Sequence, residues 1–272
     1  LGPVEEDIKQ QIIASPVICL DETGMRIEGK RKWCHVVSTE NLTYYAANPH
    51  RGSEANEDMG ILPAYSGTAM HDGWSSYFKF NCKHALCNSH HLRDLTFIYE
   101  EEKQNWAKDL IDQLISIKTA VDRRKPIHGG LDLSEIKDFE DRYDHIIERA
   151  KLENPPPIDF NSEGQIKKRE KKKKTKAQNL LERLQKYRRE VLAFMCDFEV
   201  PFDNNQAERD LRMMKVQQKI SGNFRSWDGA KIFCRIRGYI STVKKNSSSV
   251  IDAIQGVFEG KPFIPQRTLI AV

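Results

Sequence analysis

No stretch of this chain approaches the ~20 consecutive apolar residues needed to cross a bilayer. No signal-peptide pattern opens it either, so the sequence predicts a cytoplasmic protein with no membrane partner. Its six cysteines, at 19, 34, 82, 87, 196 and 234, are scattered, and several lie inside apolar runs. That spacing excludes a disulfide framework and predicts reduced, buried thiols. No internal repeat is visible, which removes the solenoid architectures. A strong overall charge is missing too, since the formal net charge is only +4 over 272 residues. The chain opens Leu1-Gly2-Pro3 without a methionine and is expected to be a piece of a longer protein.

What is present is a normal core-forming composition, 39% hydrophobic and 30% charged, with basic residues gathered locally. They concentrate in "GKRK" at 29–32, in "KKREKKKKTK" at 167–176, and along the segment after Glu208. Basic clusters on a nearly neutral chain point to a polyanionic partner.

From Pro16 to Ala47, "PVICL", "KWCHVVS" and "LTYYAA" read as three antiparallel strands, with "ETGMRIEGKRK" and "STEN" as turns. A short helix over 54–66 follows, then the strand "GTAMHDGW", then "KHALCNSHHLRDL", which starts as a strand and runs into a helix. Together these predict a mixed α/β core. From 94 the pattern becomes helical: "LTFIYEEEKQNWAKDLIDQLISIKTAVDRR", "LSEIKDFEDRYDHIIERAKLE" and "KAQNLLERLQKYRREVLAFM" each carry an apolar stripe. The expected organisation is a discontinuous core over 14–93 and 196–262. It is interrupted by a helical insertion at 94–195, with a solvated lysine-rich linker, and followed by a tail at 263–272. Asp203 with Gln206 three residues on forms a capping-box pattern, placing Glu208 in the second turn of a new helix.

Three acidic residues stand at expected element ends beside apolar runs: Asp21 in "VICLDETG", Asp72 in "TAMHDGW" and Glu208 in "FDNNQAERDLR". Carboxylates from three elements, if brought together, suit divalent metal and phosphate chemistry. Asn204, Asn205, Leu211 and Arg212 flank Glu208 at helical spacing. Arg26, Lys30, Arg31 and Lys32 in the first hairpin, with Arg209, Arg212 and Lys215 after Glu208, are candidate phosphate contacts. Trp74 and Tyr77 are candidates for stacking on an unpaired base. "CKHALCNSHH" crowds Cys82, His84, Cys87, His90 and His91, but Cys82 and His84 share one strand face and Cys87 the other. A structural zinc is therefore disfavoured.

"DETG", "HDGW" and "FDNNQAERDLR" resemble the motifs of DDE transposases from prokaryotic insertion sequences, of the insertion-sequence-sixty-six type. "GNFRSWDGAKIFCRIRGYISTVKKNSSSVIDAI" resembles that family's C-terminal part. The likeness covers about residues 15–95 and 195–262, and it implies a ribonuclease-H-like fold. It further implies Asp21, Asp72 and Glu208 as catalytic ligands of two Mg2+ ions, with Mn2+ as substitute. By the same analogy His90 is placed either behind the metal ligands, supporting them, or near the scissile phosphate. The implied activity is phosphodiester hydrolysis and 3′-OH strand transfer on transposon ends and target DNA, by a nucleoid-associated homo-oligomer. The alternatives are a related nuclease without strand transfer, a non-catalytic DNA-binding descendant, and a zinc-dependent interaction module.

Overall fold

In the computed structural model, residues 1–127, 129–155 and 174–266 are described. The chain divides into two compact units, Leu1–Leu86 with Asp203–Val272, and Cys87–Phe202.

The first unit is built on a five-stranded mixed sheet, flanked by helices and consistent with a ribonuclease-H-like fold. The strands are β1 (Val17–Ile27), β2 (Lys30–Ser38), β3 (Thr43–Asn48), β4 (Thr68–His71) and β5 (Lys83–Leu86), in the order β3-β2-β1-β4-β5. β1, β2 and β3 form the expected antiparallel meander, while β4 and β5 run parallel to β1. The hairpin is longer than its sequence led one to expect. The register continues from Cys19↔Ser38 to Ile27↔Lys30, so Asp21 lies mid-strand and not at a strand end. The polar run "ETGMRIEGKRK" pairs because the reversal needs only Glu28 and Gly29, both at positive φ, as in a two-residue hairpin turn.

Helix α1 (Gly2–Ile13) lies ahead of the expected core range and buries Val4, Ile8 and Ile12 in the same cluster as Ile18 and Leu20. Helix α2 (Ser53–Met59) and a 3-10 turn at Leu62–Ala64 replace the single helix expected over 54–66.

The second unit is helical. It contains α3 (Asn88–Glu101), α4 (Asn105–Arg124), α5 (Leu133–Glu153), α6 (Lys176–Lys186), α7 (Arg188–Val191) and α8 (Ala193–Cys196). The stripe read from the sequence is its core: Leu110, Leu114, Ile117 and Val121 are all buried. "KAQNLLERLQKYRREVLAFM" is not one helix. The α-helical geometry breaks at Tyr187 and again at Leu192, where Arg188 turns to ion-pair with Asp144 and Glu140 of α5. Residues 167–173 of the lysine run, Pro156 and Pro157 lie outside the described residues. Thr175, at the end of that run, caps α6 in a capping box with Gln178.

The chain returns to the first unit with α9 (Asn205–Ser221), α10 (Trp227–Lys245) and α11 (Val250–Phe258). α9 packs on β1 and β2, and α10 on β3. Gly238 permits the latter approach, since a Cβ there would stand 3.0 Å from the Thr43 carbonyl oxygen. No helix of the described residues is long and apolar enough to cross a membrane.

Candidate active site

β1 is paired on both edges only as far as Cys19, opposite Met70 of β4. Two residues later, on an edge that β4 has left, stands Asp21. Its carboxylate accepts the Glu22 N–H at 2.8 Å. Asp72 follows β4 directly and accepts the Trp74 N–H at 2.9 Å, closing a tight turn through Gly73 at φ +91°. That conformation favours glycine. Glu208 lies in the first turn of α9, where the positive end of a helix favours a carboxylate.

Burial raises the Asp21 carboxyl from its ordinary 3.8 to about 7, and the negative charges of Glu22, Asp72 and Glu208 add to the rise. The three acids singled out from the sequence therefore share one electrostatic environment. They are not closed into a ligand set, since their oxygens do not all come within 4.8 Å of one another.

Two devices hold α9 in register. Asn204 is buried and donates from Nδ2 to the Leu20 carbonyl at 2.7 Å, tying the helix start to the residue before Asp21. Its Nδ2 thus straps the helix start to the strand beneath it. The helix starts one residue later than expected, with Asn204 at the N-cap and Asp203 accepting the Asn205 N–H at 3.1 Å. That shift brings Glu208 into the first turn. One turn further, buried Asp210 pairs with Lys245 Nζ at 2.9 Å and accepts from Ser241 and Gln206 at 3.2 Å. Tyr45 donates to the Asp210 carbonyl at 2.6 Å. Lys245 also reaches the carbonyls of Thr39 and Leu42. Its ammonium pKa is lowered, because burial outweighs the opposing pull of Asp210.

The Asp72 turn is held from behind. Gly73 N–H donates to His71 Nδ1 at 3.0 Å, so the proton of His71 sits on Nε2 and faces His84 Nδ1 at 3.1 Å. His71 is therefore neutral. Its pKa, lowered to about 3 by burial and by His84, agrees. Sequence reasoning passed over His71, Asp210 and Lys245. The available signal was a histidine directly before Asp-Gly, and a second acid two residues beyond Glu208, on the helix's inward face.

On the other face of β1, Glu22 takes up Tyr77 and Arg51. Tyr77 donates its hydroxyl to Glu22 and is 2% exposed. It is thus unavailable to stack on a base, because its ring packs against His71 with centroids 4.8 Å apart. Trp74 is 41% exposed, with the Arg51 guanidinium 4.1 Å from its ring centre. Arg26 is exposed near the hairpin tip, and Lys32 lies 5.5 Å over the Trp227 ring. Both are four to five residues along the ladder from Asp21, or about 13–16 Å at ~3.3 Å per residue. Asn205, Arg209 and Arg212 are exposed on α9. His90 and Cys87 belong to the second unit, where Cys87 is the N-cap of α3. Cys82 Sγ lies 4.0 Å from His84 Nε2, yet no group of three metal donors forms around them among the described residues.

A family model described as "Transposase IS66 family" matches residues 1–232, spanning the sheet, the helical block and the Glu208 helix. The chain belongs to the IS66 transposase family. No curated protein matches it. Membership covers all three candidate carboxylates and the residues that hold them, and it places the protein among transposases acting on DNA.

Proposed function

We propose that this IS66-family chain is a DDE-type catalytic domain in which Asp21, Asp72 and Glu208 serve both DNA hydrolysis and strand transfer. The observation that carries the reading is the raised proton affinity of Asp21, driven first by burial, with additions from the charges of Glu22, Asp72 and Glu208. Carboxylates that share one environment in this way would suit a divalent cation. The donors are oxygen only and come from three elements, which fits Mg2+ or Mn2+. Asp21, Asp72 and Glu208 would hold the ions. When bound, a pair of ions activates the attacking oxygen and stabilises the leaving one.

The chain's own contribution is placement. The Trp74 N–H fixes one Asp72 oxygen, and Asn204 ties the base of the Glu208 helix to β1. Hydrolysis of a phosphodiester at the element end frees a 3′-hydroxyl, which then attacks a target phosphodiester in the same pocket. Arg209 and Arg212, exposed on α9 close in sequence to Glu208, contact DNA backbone. Arg26 and Lys32 carry the contact toward the hairpin tip, and His90 is assigned to the flanking strand. Two copies synapse two ends, in the cytoplasm and on the nucleoid.

Glu208→Gln removes a carboxylate charge while keeping shape. Both cleavage of a plasmid bearing the element's ends and joining of a pre-cleaved end should fall to background, with an unchanged circular dichroism spectrum. Wild-type joining by this variant would sink the assignment. Loss of joining alone, with cleavage intact, would limit Glu208 to the second step.

A further inference from the structure

Beside the acidic site, on the opposite face of β1, runs a ladder of cations and indoles. The guanidinium centre of Arg31 lies 4.8 Å from the Trp33 ring, that of Arg51 lies 5.0 Å from the same ring, and Arg51 lies 4.1 Å from the Trp74 ring. Cross-strand register explains the sequence of contacts. Trp33 pairs with Gly24, which has no side chain to cover it, and Arg31 pairs with Arg26. Arg51 is fixed by one further bond, from Nε to Glu22 Oε1 at 2.8 Å. Glu22 is itself 2% exposed in its side chain and also takes the Tyr77 hydroxyl. Arg51 keeps 36% of its side chain exposed, and its two terminal nitrogens bond no protein group among the described residues.

An arginine set between two indoles and oriented through Nε has lost most of its freedom. Its remaining N–H groups form a pre-set fork for a phosphate. A purely structural partner for Glu22 has no use for an exposed terminal fork or for two half-exposed tryptophans. Position supplies the ligand. The Trp74 N–H binds the Asp72 carboxylate while its ring meets Arg51, so the fork lies next to the Asp72 turn.

We infer that Arg51, clamped by Trp33, Trp74 and Glu22, binds a backbone phosphate of the DNA strand running past Asp21 and Asp72, with Arg31 next along the track. This rests on the transposase reading above. It assigns Trp74 first to holding the arginine, with its remaining exposed surface available to an adjacent base.

The test is fluorescence anisotropy of a labelled DNA duplex with a single-stranded overhang, titrated with the chain over a range of salt. Arg51→Ala should weaken binding about tenfold and flatten the slope of log affinity against log salt by about 0.7–0.9. Arg51→Lys should restore the slope but not the affinity, because it keeps a charge without the flat fork. Trp74→Leu should weaken binding with the slope unchanged. Since Arg51→Ala leaves Glu22 buried and unpaired, Glu22→Gln with Arg51→Ala provides a neutral pocket, and the same slope change is expected in it. Equal affinity and slope in wild type and in the double variant would overturn the role of Arg51 alone. Failure of the wild-type chain to bind DNA at any salt would overturn the transposase reading and this inference with it.

Discussion

The two units handle charge in opposite ways. In the helical unit, Cys87–Phe202, most ion pairs lie on the surface, as Lys108 with Asp112, Lys118 with Asp122 and Arg149 with Asp109, with Arg188 against Asp144 and Glu140 the part-buried exception. Its interior is apolar side chains with few exceptions, such as His91, which burial keeps neutral. In the sheet unit several charged groups go inside or to its edge as well: Asp210 with Lys245, Glu22 with Arg51, Asp21 near Asp72 and Glu208. Buried charge costs stability unless every donor and acceptor is met. A unit that buries charge in this way fixes those side chains in place, at a cost in stability that surface pairs do not carry.

The sharpest way to break this contrast is Asp210→Ala. It strips Lys245 of its counter-charge inside the unit while leaving Glu208 untouched. The expected loss is about 3–5 kcal/mol of unfolding free energy, read as a drop in urea midpoint. Combining it with Lys245→Met should recover much of that loss, because an apolar pair of similar shape leaves no buried charge. Full wild-type stability in Asp210→Ala would show that the pair is wet and that the contrast between units is overstated.

Asp21 predicts a smaller effect of opposite sign. Its folded pKa of about 7 lies above its ordinary 3.8, so the folded chain holds the extra proton between those values. Stability from this group is therefore present at low pH and falls as pH rises from about 4 to 7. Asp21→Asn should stabilise the protein by about 2 kcal/mol at pH 8, allowing for relaxation and solvent screening, and by almost nothing at pH 4. Thermal melts at the two pH values check this. Adding Mn2+ should raise the wild-type melting temperature at pH 8 and leave the variant's unchanged.

Legibility followed the same divide. Wherever burial alone sets structure, periodicity was sufficient. The stripe Leu110, Leu114, Ile117 and Val121 is the core of α4, and "PVICL" is the buried half of β1. The nearness of the three acids could be anticipated because each sits beside an apolar run that fixes its element. What was hidden depends on pairing across the sheet. Residues 22–27 look like a turn until their partners at 30–35 are known. Arg51 looks like a loop residue until Trp33, Trp74 and Glu22 converge on it. Asn204 was legible only as a neighbour of Glu208, because helical spacing says nothing of the strand beneath it, whose Leu20 carbonyl it binds.

The smallest effect sharpens the comparison from the helical side. Lys118 and Asp122 pair one turn apart on α4, each more than a third exposed. The lysine precedes the aspartate, which is the weaker orientation against the helix dipole. Lys118→Ala should therefore change stability by less than about 0.5 kcal/mol, and by less still in high salt, where exposed charges are screened. The Asp210–Lys245 pair, shielded from ions, should keep its full effect in the same salt. Measuring both variants at low and high ionic strength isolates burial as the cause, because the two pairs share the same charges and differ in their access to water. A loss of more than 1 kcal/mol in Lys118→Ala would mean that the surface pairs of the helical unit also contribute to its stability.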